Sequence, residues 1–386
     1  MLKHLTDFIT ENPANWITLI QQEPYNIKVC SSGNFILLKY DQLNSDMSLP
    51  ICQVCRGVIL EKHKNSSKWS VVCYPFDKFF NYGECTAATI DWESAIVREK
   101  VDGSLMKLWT DLNGEWHLAT NGTIDAFKAP VSGNLEGLTY GDIFERAIGY
   151  NFKLFARYLN PYNTYMFELV SPLTQVTVFY EEDAVYYLGH RNKLFGKESY
   201  EYDPYWKDFG IREPKVYKLN SISDCIALVN TFTKDEEGVV VSDREFNRIK
   251  VKSPEYLLAA HAANNGKLGL RTAVRLIQED KVDDFLAYAP MHKDKMDIII
   301  AAYREIEDDF YNAFYVVKES FWMSRKNFVN VIQYYFGDSD IFAFLMWQYS
   351  NRDYGIKDYM HRLTERKIMD LIKEKIKKEM EEIDDE

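Results

Sequence analysis

No stretch of this 386-residue chain stays apolar over the eighteen or so residues that a membrane span needs. The opening Met1-Leu2-Lys3-His4 also lacks the apolar core of a secretory signal. No helical membrane span is expected, and a cytoplasmic location is, in the host cytoplasm if the chain is phage-encoded. Cysteine is scarce, with six residues at positions 30, 52, 55, 73, 85 and 225. Cys52 and Cys55 have the spacing of a metal knuckle, but no second pair and no suitably placed histidines follow, so both are read as buried thiols. Positive charge is in deficit as well. A net charge of −12 argues against a general nucleic-acid coat protein while leaving room for a local basic groove.

The length suffices for two or three domains. Leu5, Phe8, Ile9, Trp16, Leu19 and Ile20 recur at helical steps around Asn12-Pro13. Strand-like segments follow at 25–40, 56–61 and 69–74. Asn113-Gly114, between 105–109 and 115–120, is a strong hairpin signal. A helical segment is expected within 132–158, strands at 164–170 and 184–191, a helix near 221–232 and a hairpin at 237–241 and 248–252. Beyond Pro254 only helical periodicity remains, as in Ile299, Tyr303, Ile306, Phe310, Ala313 and Val317 and again in Ile368, Leu371, Ile372, Ile376 and Met380. The expected fold is α+β. An antiparallel-sheet domain over 1–253 precedes an all-helical domain over 254–386, and the acidic end at 379–386 reads as a solvated tail.

The stretch Glu99-Lys100-Val101-Asp102-Gly103-Ser104 sets a lysine between two strands. Alone this is an ordinary surface turn. A lysine amine is a nucleophile only without its proton, and an unperturbed pKa of about 10.4 means it needs help from neighbours or burial. Arg56-Gly57, Lys78-Phe79-Phe80-Asn81, Phe167-Glu168, Glu237-Gly238 and Lys250-Val251-Lys252 likewise put charges at or inside apolar strands. Buried charge is costly unless paired or bound to a ligand, so together these point to a charged cleft.

In order, these segments resemble the signatures of the covalent lysine nucleotidyltransferases, and within them the phage-type ATP-dependent single-strand RNA ligases that repair tRNA. Lys100 to Ser104 is similar to the nucleotidylation motif, Phe167 to Pro172 to the third, Glu237 to Val241 to the fourth and Lys250 to Lys252 to the fifth. Cys55 to Val58 and Lys78 to Asn81 are similar to the amino-terminal signatures. Spacings of 68, 69 and 13 residues separate Lys100, Glu168, Glu237 and Lys250. The resemblance covers about 50–256.

It implies ATP and Mg²⁺, or Mn²⁺, as cofactors, single-stranded RNA ends, such as those of broken tRNA, as partners, and a monomer. Lys100 would form a lysine–AMP adduct. Lys250 and Lys252 would lie on the α-phosphate, one of them also favouring the unprotonated form of Lys100. Arg56 and Lys78 would hold the pyrophosphate end, Glu168 the ribose and Glu237 the metal. Glu99 would belong to the ATP site, and Asp102 would orient the nucleophile or its metal. Tyr256 could face the nucleotide or simply lie in the core. Two departures are Asn121 and Gln175, where some relatives carry basic residues. DNA ligases and capping enzymes share the lysine motif but continue into a β-barrel, whereas helices follow here. A nucleotide-binding protein that had lost catalysis would lack the nucleophile or the metal carboxylate, and Lys100 and Glu237 are both present.

Overall fold

The computed structural model describes residues 2–41, 44–84, 86–131, 137–174, 177–254, 256, 268–278, 282–288, 290–337, 339–352 and 354–376. Gln175, Cys85, Met380 and the acidic end lie outside them.

Helices α1 (Leu2–Glu11) and α2 (Trp16–Ile20) open the chain, separated at Asn12-Pro13 as the proline requires. Strands β1 (Lys28–Ser32) and β2 (Phe35–Lys39) form a hairpin. A five-residue helix that the apolar pattern did not announce, α3 (Pro50–Val54), starts on Pro50, whose fixed φ suits a first helical turn. Strands β3 (Arg56–Lys62) and β4 (Trp69–Cys73) complete a four-stranded antiparallel sheet in the order β1-β2-β3-β4. Strand alternation gives this sheet two buried faces. Leu38, Val58 and Leu60 pack with Leu5, Trp16, Ile20 and Cys52 beneath the helices. Leu37, Ile59 and Cys73 turn the other way, against Trp109 and Ala119 of a second sheet.

Two strands of a third sheet come next, β5 (Phe80–Asn81) and β6 (Ile96–Glu99). The second sheet is then built from β7 (Ser104–Thr110) and β8 (Trp116–Thr120), paired around Asn113-Gly114 as expected. Helices α4 (Tyr140–Ile148) and α5 (Phe152–Ala156) follow, the first entered through a Thr139–Asp142 capping box. They cover the sheet face that carries Met106, Leu108, Phe167 and Leu169. Strands β9 (Asn163–Val170), β10 (Ala184–Asn192) and β11 (Glu198–Ser199) extend the sheet to the order β11-β10-β9-β7-β8, with β12 (Ile211–Arg212) parallel to β10. After β13 (Val216–Tyr217) and α6 (Ile222–Val229), the hairpin β14 (Gly238–Ser242) and β15 (Arg248–Lys252) closes the third sheet as β13-β6-β14-β15-β5. Except for β10 with β12 and β15 with β5, every pairing is antiparallel.

The second and third sheets are joined by buried charge. Glu198 of β11 accepts from Arg191 of β10 and Arg248 of β15, and Arg191 also reaches the Pro75 carbonyl at 2.7 Å and Asp77 at 3.0 Å. Burial works to raise Glu198, yet the two guanidiniums hold its carboxyl below the usual range. Every described element after Lys252 is helical: α7 (Leu270–Gln278), α8 (Val282–Tyr288), α9 (Lys293–Val317), α10 (Arg325–Phe336), α11 (Asp340–Ser350), α12 (Ile356–Arg362) and α13 (Glu365–Lys375), with short 3₁₀ turns. The periodic residues Ile299, Tyr303, Ile306, Phe310, Ala313 and Val317 form one core with Ile368, Leu371, Ile372 and Ile376.

Candidate active site

Lys100 stands where the chain leaves the third sheet at β6 and enters the second at β7. Its backbone N–H donates to the Gly238 carbonyl at 2.9 Å, tying it to the start of β14. Its Nζ lies 2.6 Å from Glu237 Oε2, and Lys252 Nζ lies 2.9 Å from Glu237 Oε1. Glu237 has no exposed side-chain surface, so it depends on this double pairing. Residues 137 apart in sequence are thus brought together by one hairpin, in which Gly238 faces Lys252 in register.

The glycine of the lysine motif has a steric cause. A Cβ on Gly103 would sit 2.4 Å from the Leu169 carbonyl oxygen of β9. Its N–H lies 3.2 Å from Glu168 Oε1 and donates to it. Glu168 points into a cleft that also exposes Lys100, while its neighbours Phe167 and Leu169 are fully buried in the core opposite. Asp102 takes another direction. It is buried, and its Oδ2 accepts from the Thr177 and Val178 N–H groups at 3.1 and 3.0 Å, fastening the loop that follows β9. Glu99 lines the cleft and accepts from the Lys215 N–H at 3.1 Å.

Arg56, Lys78 and Lys250 line the same cleft. Arg56 lies 5.4 Å from the Phe79 ring, and its Nη1 is buried with no hydrogen-bond partner among the described residues. Such an orphaned donor suits an anionic ligand. The backbone behind it is fixed by Gly57, at φ +82°, whose carbonyl accepts from Lys107 Nζ at 2.6 Å. Lys107 is wholly buried, and that burial pushes its ammonium down to about 8, with the Lys39 and Arg56 charges adding to the effect and Cys73 opposing it. Strand alternation alone would give Lys107 a solvent face, but the first sheet covers it. Lys78 bonds Tyr40 Oη at 3.1 Å and pairs with Asp283 of α8.

Further residues of the cleft were not among the sequence candidates. Arg98 precedes Lys100 by two positions on β6, stacks 3.9 Å from the Tyr200 ring centroid, and has a buried Nε with no hydrogen-bond partner among the described residues. Alternation from Lys100 would have found it. Lys39, Tyr303 and Arg304 also line the cleft, the last two from α9. Arg304 pairs with Asp41, and Lys28 lies 3.6 Å from Asp41 and 3.7 Å from Glu307. Asn121 lines the cleft with its backbone carbonyl packed on Gly57. Tyr256 is buried beneath Lys252, 5.4 Å from its Nζ, and is not part of the cleft lining. Cys52 and Cys55 are buried thiols as expected, Cys52 pushed up to about 12 by burial and then by the Asp46 charge.

Residues 54–256 match a family model described as RNA ligase. A protein of Autographa californica nuclear polyhedrosis virus described as a bifunctional polynucleotide kinase/RNA ligase is 31% identical over 310 residues, covering 74% of this chain and 41% of that protein. The chain therefore spans about two-fifths of that relative's length. An RNA ligase of Rhodothermus phage RM378 is 26% identical over 344 residues, covering 74% of this chain and 76% of that protein. Among solved structures, an archaeal ATP-dependent RNA ligase aligns with a TM-score of 0.45 at 13% identity, covering 92% of this chain and 80% of that one.

Proposed function

Because this chain belongs to the RNA ligase family, we propose that it is an ATP-dependent enzyme that joins RNA 5′-phosphate and 3′-hydroxyl ends through a lysine–AMP intermediate. Lys100 Nζ attacks the α-phosphorus of ATP. The P–N bond forms as the P–O bond to the β-phosphate breaks, pyrophosphate departs and the amine loses its proton. The adenylyl group then passes to an RNA 5′-phosphate, regenerating Lys100, and an RNA 3′-hydroxyl displaces AMP to make the phosphodiester. Each step is a phosphoryl transfer, which asks of the protein alignment and charge neutralisation rather than covalent invention.

Arg56, Lys78, Glu99, Lys100, Glu168 and Lys250 of the cleft, with Asp102, Glu237 and Lys252 behind it, suit these tasks. Lys250 and Lys252 take the α-phosphate, Arg56 and Lys78 the pyrophosphate end, and Glu168 the ribose. Glu99 belongs to the ATP site, and Asp102 holds the Lys100 stretch in place. Glu237, a fully buried carboxylate whose two oxygens are held by Lys100 and Lys252, would hold a hard divalent cation, Mg²⁺ or Mn²⁺, when one of those lysines turns to the phosphate, in keeping with the preference of such ions for one or two carboxylates plus phosphate oxygens. Such an ion, when bound, adds positive charge at the reacting phosphate. Residues 1–253 form the nucleotidyltransferase domain and 254–386 a domain that sets RNA specificity. Broken tRNA is the physiological substrate class, met in the host cytoplasm by a monomer.

The observation that carries this reading is that Lys100, which lines the cleft with Arg56, is paired through the buried Glu237 to Lys252, while Arg56 Nη1 has no hydrogen-bond partner among the described residues. The test incubates the protein, first cleared of bound AMP with pyrophosphate, with Mg²⁺ and α-labelled ATP or GTP. Label from ATP that survives denaturation and is absent from Lys100→Ala is expected. No label in the wild type would overturn the proposal, and label from GTP alone would move the chain to the capping class.

A further inference from the structure

One face of α9 begins inside the cleft and ends in open solvent. At 100° per residue, positions 304, 307, 311 and 315 fall on a single stripe of the helix, and the 3₁₀ turn that continues it, Lys318–Trp322, carries the chain on to Trp322. Arg304 and Glu307 are cleft-wall residues, and Arg304 Nε is buried with no hydrogen-bond partner among the described residues. Further along, Tyr311 is 56% exposed, Tyr315 58% and Trp322 81%. The opposite face, with Ile306, Phe310, Ala313 and Val317, is the core of the helical region.

Exposed rings that follow one another out of a cleft mark a contact surface in a way that singly scattered ones do not. The chemistry here is not that of an aliphatic protein interface. Lys318 Nζ lies 3.7 Å from the Tyr315 ring centroid, and the Arg352 guanidinium lies 5.4 Å from that of Trp322. Rings alternating with cations, at a step of about 6 Å between Tyr311 and Tyr315, make a stacking track for unpaired bases with neutralisation for their phosphates. Glu307 and the neighbouring Asp308 oppose this locally, and Glu307 is already engaged by Lys28 at 3.7 Å. We propose that the Tyr311–Tyr315–Trp322 stripe is the path by which a single-stranded RNA leaves the cleft, its bases stacked on these rings. The inference rests on the cleft being the ligation site and adds the surface that holds the substrate beyond its reacting end.

The test compares two 5′-phosphorylated single-stranded RNAs, one of about four nucleotides and one of about twenty, on the wild type, on the variant Tyr311→Ala/Tyr315→Ala/Trp322→Ala and on its Phe-for-each-ring counterpart. All three positions are exposed, so the fold should survive, and thermal melting verifies it. Expected are a loss of affinity for the long RNA on the order of tenfold per ring removed, little change for the short one, recovery in the Phe variant, and quenching of Trp322 emission by the long RNA. Self-adenylylation should be untouched, which separates this inference from the ligase reading: absence of lysine label in the wild type defeats that reading, whereas label with unaltered binding of the long RNA defeats only the stripe. Equal losses for short and long RNA, or a change of oligomeric state without a change in RNA affinity, would also overturn it.

Discussion

Lys107 offers the sharpest check on how the site is built. Its ammonium is wholly buried between the first and second sheets, donates to the neutral Gly57 carbonyl at 2.6 Å and pairs with no carboxylate among the described residues. Burial brings it to about 8 from an ordinary 10.5. In this window the unfolded chain still holds the proton that the native chain has lost, so stability rises with pH; below it both states are charged and the native state bears the full cost. At about 1.36 kcal/mol per unit the rise is about 3 kcal/mol in all, of which about 2 falls below pH 9.5. Lys107→Met keeps the apolar stem and removes the titration. It also leaves the Gly57 carbonyl short of a partner, at about 1–3 kcal/mol, an offset that does not vary with pH. Urea unfolding of both proteins at intervals from pH 7 to 9.5 should show the wild type gaining about 2 kcal/mol on the variant. A difference that stays level with pH would mean that Lys107 titrates normally and that the reasoning is wrong. The same variant, with Arg56 less firmly placed, should show a raised KM for ATP.

The other predictions concern the charges and the close contacts around the cleft. Gly103→Ala places a methyl 2.4 Å from the Leu169 carbonyl, so it should cost about 1–3 kcal/mol in unfolding free energy and abolish lysine labelling; a well-labelled variant would show that the two strands part easily. Asp283→Asn releases Lys78 from its ion pair and should lower the KM for ATP severalfold in steady-state adenylylation, whereas a higher KM would mean that Asp283 orients Lys78 for the ligand. Glu198→Gln strips the Arg191 and Arg248 guanidiniums of their shared carboxylate and should cost about 3–5 kcal/mol near neutral pH by denaturant titration. Because the folded Glu198 carboxyl lies below its unfolded value, its contribution is present above the unfolded pKa and fades as pH falls through the folded one, so the gap between wild type and variant should narrow on acidification; a constant gap would assign the loss to packing.

Much of the architecture was legible in the sequence because it rests on local chemistry. The Asn113-Gly114 hairpin, the break at Asn12-Pro13 and the buried stripe from Ile299 to Val317 each follow from turn preference, proline geometry or helical period. The short pieces were not: α3 and the two-residue strands β5, β11, β12 and β13 are too brief to show a period and exist because neighbours pair with them. The site divides the same way. Lys100, Glu237 and Lys252 could be named from ordered motifs, but that they meet around one carboxylate depends on two strands from distant parts of the chain. Arg98 could have been reached by alternation from Lys100, but its partner ring, Tyr200, is far along the sequence. The burial of Lys107 was not legible, because an alternating pattern cannot say that a second sheet lies above it. Asp283 and Arg304 fall on polar helix positions, which a period assigns to water and the fold assigns to the cleft.

The crossing at Lys100 has a mechanical consequence. Three residues before it, Val97 is locked into the third sheet's core, and six residues after it, Met106 is locked into the second's. Lys100, the proposed nucleophile, therefore rides on a seam between two sheets with separate apolar cores, and its aim is set by how they abut. Wear in either core, such as a cavity cut far from any phosphate, would be felt first as a misdirected amine and only later as a melted protein.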